Sequence, residues 1–101
     1  MNPQQMMQQA RKLQAQLAKV QEDLGQESVT GTAASGAVSI TLDGHGSVRS
    51  VKLNKDAVDP DDVETLEDLI LVALKDAQSK AHELSQARLG PLAGGLGMPG
   101  L

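Results

Sequence analysis

Residues 36–53 read GAVSITLDGHGSVRSVKL, two runs of β-type residues around a glycine turn. Val38, Ile40 and Leu42 alternate with Ser39 and Thr41, the period of two that a strand with one buried face requires. Asp43-Gly44-His45-Gly46 supplies the turn, because glycine reaches positive φ without a Cβ clash. Beyond it Val51 and Leu53 keep one face, while Val48 falls on the other. Two readings stand: a bulge near Gly46 and Ser47 resets the register, or Val48 is an outward apolar residue.

Working outward, Val29-Thr30-Gly31-Thr32-Ala33 reads as a preceding strand, with Gly31 marking a bend or an edge. The result is a three-stranded antiparallel sheet, about the minimum for independent stability. Before it, Met6, Ala10, Leu13, Leu17, Val20 and Leu24 are spaced 4, 3, 4, 3 and 4 apart, the seam of a helix that packs on another helix. The residues between them are mostly Gln, Lys, Arg and Ala, all good helix formers. A helix over residues 3–24 is therefore expected in place of a disordered glutamine-rich tract, with Gly25 as its C′ residue. Arg11, Lys12 and Lys19 lie off the seam, and Lys12 and Lys19 share one side. As a pattern this is either a solvated face or a ridge that tracks the phosphates of a nucleic acid.

After the hairpin, Asp59 is expected to cap a second helix, with Pro60 in its first position and Asp61, Asp62 and Glu64 in its first turn. Divalent-metal binding by these aspartates is the lesser reading, since the glycine and distal glutamate of a calcium loop are missing. The helix is expected to run from 60 to 87 or 89, with a seam of Val63, Leu66, Ile70, Ala73, Ala77 and Leu84 and with Lys80 in an apolar slot. Leu69, Val72, Leu74 and Ala81 add apolar surface, and the first half of the helix is apolar nearly all round, which means burial on more than one side. So much apolar surface implies a second copy of the chain, meeting across Val38, Ile40 and Leu42 of the sheet and Leu66, Leu69, Ile70 and Ala73 of the helix. Roughly 28 helical residues extend about 42 Å, against a radius of gyration of about 13 Å for a compact chain of this size, so helix ends must project as arms. The chain thus divides into one α+β domain over 1–89 and a flexible Gly/Pro-rich tail over 90–101.

Composition narrows the function classes. At 101 residues there is room for one core, and the absence of Phe, Tyr and Trp removes the platforms on which single-stranded bases stack. No cysteine is present, which fits a reducing compartment and excludes thiolate metal sites. Neither a secretory leader nor a membrane span is expected. The net charge of −4 is concentrated: all seven ionisable residues between Asp56 and Asp68 are acidic, and the remainder is mildly basic. His45 and His82 have no partner at a metal spacing, and the serines lack a nucleophile context. With no organised acid/base group the chain reads as a binding protein, without cofactor, metal or small-molecule substrate.

The ordered set formed by the first helix, Val29-Thr30-Gly31, the glycine-turn hairpin, the acidic helix start, Leu66-Glu67-Asp68-Leu69-Ile70, Asp76-Ala77, Lys80 and Gly94-Gly95-Leu96 resembles the YbaB/EbfC family of bacterial nucleoid-associated proteins. The resemblance covers nearly the whole chain. Departures include Ser35-Gly36-Ala37 where the family often has a glycine pair, Lys55-Asp56 in place of Asp-Pro, and Lys75 where Asn is common. Membership implies a homodimer with tweezer-like helical arms that binds duplex DNA in the cytoplasm, at the nucleoid, without enzymatic activity. It implies DNA contacts from basic arm residues, here Arg11, Lys12 and Lys19, with Lys80 and Arg88 behind them. The expected mode is phosphate contact with little base readout; the rival is a dimeric helical module that binds a protein, favoured by the acidic patch.

Overall fold

The first helix, α1, spans Pro3–Gln26 in the computed structural model, which describes residues 2–95. Its start is a closed capping box: the Asn2 side chain accepts from the Gln5 amide at 2.8 Å, and the Gln5 side chain accepts from the Asn2 amide at 3.3 Å. Pro3 sits where a missing N–H is harmless. The far end corrects the expectation for Gly25, which lies inside the helix; the cap is Glu27, in extended conformation. No left-handed glycine is needed, because donors from the hairpin satisfy the terminal carbonyls. The Gly44 amide reaches Leu24 O at 2.8 Å, His45 Nε2 donates to Gln21 O at 2.8 Å, and the Arg49 guanidinium donates to Gly25 O.

Strands β1 (Ser28–Ala33), β2 (Val38–Asp43) and β3 (Val48–Leu53) form an antiparallel meander in the order β1-β2-β3. Ala34, Ser35 and Gly36 all take positive φ between the first two, a left-handed run that small side chains tolerate. Across the second turn the register shifts: Thr41 pairs with Ser50 but Leu42 with Val48. Arg49 is therefore the extra residue of a bulge. It returns Val48 to the face of Val51 and Leu53, which lie opposite Ile40 and Val38. Asp43 holds the turn, accepting the His45 and Ser47 amides at 2.8 and 3.0 Å.

The second helix, α2, spans Val63–Gly95, about 50 Å of helix. It starts three residues later than expected. Asp59 spends its carboxylate on the Asp61 amide in a separate turn. The capping contacts come instead from Asp62, to the Thr65 amide at 3.3 Å and its hydroxyl at 2.6 Å. The helix also runs later, through Pro91. Gly90 to Gly95, assigned to a flexible tail from their composition, are helical; Pro91 removes one N–H near the end without stopping the coil. Residues 96–101 lie outside the described residues.

One face of the sheet closes under α2. The core is Ala33, Val38, Ile40 and Leu42 from β1 and β2 with Ala73, Ala77 and Ala81 from α2, flanked by Val29, Leu66, Leu69, Ile70 and Leu74. Gly31 makes the contact possible, since a Cβ there would lie 2.2 Å from Ala73 O and Ala77 N. This corrects the assignment of Val38, Ile40, Leu42 and Ala73 to a dimer interface: each is 0–2% exposed within one chain and has nothing left to offer a partner. Lys80 does not fill an apolar slot either; Ala81 is the buried residue there. The extents, 70 × 24 × 16 Å, and a radius of gyration of 19.3 Å confirm that helix ends project from a small base.

Candidate nucleic-acid interface

The arm formed by α1 has two different halves. Towards its root Leu13, Leu17 and Val20 are half-buried and Leu24 is buried, so the apolar seam packs there as spaced. Towards its tip residues 2–12 are all exposed, Met6 and Met7 by more than half. From Asn2 to Gln21 there is no carboxylate. Arg11 and Lys12 stand on this stretch exposed and without an ion-pair partner among the described residues. Lys19 pairs with Asp23 one turn on, at 3.1 Å. That hydrogen bond, with the charges of Asp23 and Glu22, holds the Lys19 ammonium above its usual pKa, so the cation persists.

Arg11, Lys12 and Lys19 are thus brought together on one helix. Lys80 and Arg88 are placed elsewhere and are already occupied. Lys80 Nζ donates to Thr30 O at 2.9 Å and pairs with Asp76 at 3.1 Å; Arg88 pairs with Glu27 beyond the end of α1. Asp76 also accepts the Thr32 amide at 3.0 Å, and that bond, then Lys80, lowers its pKa below the ordinary aspartate value. The carboxyl of Asp43 is likewise lowered, first by the Ser47 amide. The Asp76 and Lys80 contacts fasten α2 to β1, and those of Asp43 brace the turn of the hairpin.

Two features escaped sequence reasoning. The cap that the hairpin places on α1 needs contacts across 20 and 24 residues, and its only local sign is a glycine-rich turn. The other is the apolar row on β3: Val48, Val51 and Leu53 are 61%, 51% and 43% exposed, beyond the reach of α2. The unresolved face of Val48 was its signal. His45 and His82 meet in a cleft of about 430 Å³ with Gln21, Gln78 and Ser85. Among the described residues no group of three or more His, Cys, Asp or Glu is arranged to hold a metal, and no helix is long and apolar enough to cross a membrane.

These features define a class: a small α+β protein whose three-stranded sheet carries two long helices, one of them cationic and free of carboxylates over its outer residues 2–21. The chain belongs to the YbaB/EbfC DNA-binding family, whose model matches residues 1–96. It is 52% identical over 100 residues to a nucleoid-associated protein of Roseiflexus sp. strain RS-1, covering 99% of both chains. It is 49% identical over 96 residues to one of Chloroflexus aurantiacus, covering 95% of this chain and 96% of that one. The fold matches the crystal structure of an uncharacterized protein from Helicobacter pylori with a TM-score of 0.80, at 16% identity, over 91% of this chain and 97% of the other.

Proposed function

We propose that this protein is a homodimer that binds duplex DNA at the nucleoid, in the cytoplasm, mainly through phosphates and with low sequence specificity, and has no catalytic role. The carrying observation is the arm: three cations and no carboxylate over twenty residues, exposed on a projecting helix, in a chain whose net charge is −4. The outer part of the arm, free of carboxylates, can approach a polyanion while Glu22 and Asp23 stay at its root. Arg11, Lys12 and Lys19 are the phosphate ligands; Lys80 and Arg88 secure the roots of the arms.

The second copy docks on the row of Val48, Val51 and Leu53; Val63, Leu71 and Val72 of α2 are further exposed apolar residues of the base. Charge supports that reading: Arg49, Lys52 and Lys55 are interleaved with or follow the row along the chain, and the acids from Asp56 to Asp68 come directly after them, so two copies related by a two-fold axis can set opposite charges against each other. Dimerisation doubles the cations on offer.

The test is Lys12→Glu combined with Lys19→Glu, read by fluorescence anisotropy on a labelled duplex. Affinity is expected to fall about tenfold or more at low salt, with the mass by light scattering unchanged. An unchanged affinity moves the site off α1. The protein-binding alternative is favoured by the acidic, apolar start of α2; partners captured from nuclease-treated lysate, in the absence of any duplex binding, replace the DNA reading.

A further inference from the structure

Gln9, Lys12, Gln16 and Lys19 are spaced 3, 4 and 3 apart, the rhythm of the apolar seam displaced by one residue. They form one continuous stripe along α1, and all four are exposed. Helix propensity does not demand glutamine there, because Glu, Lys and Arg serve about as well. A merely solvated helix gains from Glu and Lys four apart, yet on α1 the only such ion pair is Lys19 with Asp23 at the root. What glutamine supplies is an uncharged amide with donor and acceptor side by side.

That pair matches the major-groove edge of adenine, where N6–H donates and N7 accepts, and the groove is wide enough to admit an α-helix. We infer that Gln9 and Gln16 read adenine in the major groove while Lys12 and Lys19 hold the flanking phosphates, which gives the arm a preference superimposed on its phosphate binding. The inference rests on the DNA-binding reading above. Gln5 is not assigned this role, because its side-chain oxygen is engaged by the Asn2 amide. Gln9 and Gln16 make no side-chain hydrogen bond to another described residue, and Gln5, Gln8, Gln9 and Lys12, three or four apart, share one exposed side of α1 near its tip. Seven residues of helix separate the two readers, about 10 Å or roughly three base pairs at about 3.4 Å each.

The experiment compares two duplexes of one mixed sequence, natural and with every adenine replaced by 7-deazaadenine, which deletes the N7 acceptor and leaves every phosphate in place. The wild-type protein is expected to bind the modified duplex about fivefold or more weakly. Gln9→Ala with Gln16→Ala is expected to bind both duplexes alike, near the wild-type affinity for the modified one. Equal wild-type affinity for the two duplexes overturns the readout and leaves phosphate binding standing. A wild-type preference that persists in the double variant assigns the reading to other residues and overturns this one. Absence of binding to either duplex overturns the inference together with the reading beneath it.

Discussion

The two edges of the sheet are left in opposite states. On β1 the edge is sealed: Asp76 takes the Thr32 amide, Lys80 takes the Thr30 carbonyl, and α2 lies close enough that Gly31 admits no Cβ. On β3 every residue is exposed, the apolar row included. Geometry accounts for the difference. A helix about 10 Å across spans two strands set about 4.8 Å apart and leaves a third uncovered. Edge strands invite pairing with other chains unless something blunts them, so α2 determines which edge of the sheet is left open, the edge on which the proposed second copy would dock.

The hardest way to break this arrangement is Gly31→Val. Its branched side chain would have to displace the α2 backbone, and overpacking of that kind is expected to cost about 3 kcal/mol or more. Urea denaturation followed by circular dichroism checks it; a wild-type midpoint would show that α2 is not held by close approach at β1. Next comes the open side. Val48→Asp with Val51→Asp is expected to halve the mass in light scattering while leaving the circular dichroism spectrum intact, because neither side chain is buried within one chain. A dimer that survives both charges places the second copy elsewhere.

The seal on β1 has a smaller, pH-dependent signature. The pKa of Asp76 is lowered in the folded chain, so its contribution is present above the unfolded value, about 3.9, and is lost as pH falls through the folded one. Asp43 acts in the same direction. Thermal melting between about pH 5 and pH 2 is expected to show the wild type losing stability steeply below pH 4 and Asp76→Asn losing less over the same window. Parallel curves would remove Asp76 from the seal.

Much of this was legible in the sequence, and the failures share a cause. Periodicity identified the meander, both helices and the face that Val38, Ile40 and Leu42 turn inward. It could not say which element covers that face, so residues buried under their own α2 were assigned to a partner. Lys80 failed similarly: its position fits an apolar seam, but its ammonium reaches past the seam to a strand fifty residues away. The ends of the helices were misjudged where tertiary donors replace local signals, as at Gly25, and where Gly90 and Pro91 weaken a coil without ending it. The shared helix of Arg11, Lys12 and Lys19 was legible because their arrangement is set within a single element.

The central claim, that this helix meets phosphate, is tested most directly by anisotropy titrations of a labelled duplex at several salt concentrations. The account predicts saturable binding at low salt, with log affinity falling linearly in log salt by about 0.9 for each phosphate neutralised, and so a slope near −5 if all three cations of both arms engage. Absence of saturable binding at the lowest salt would contradict it.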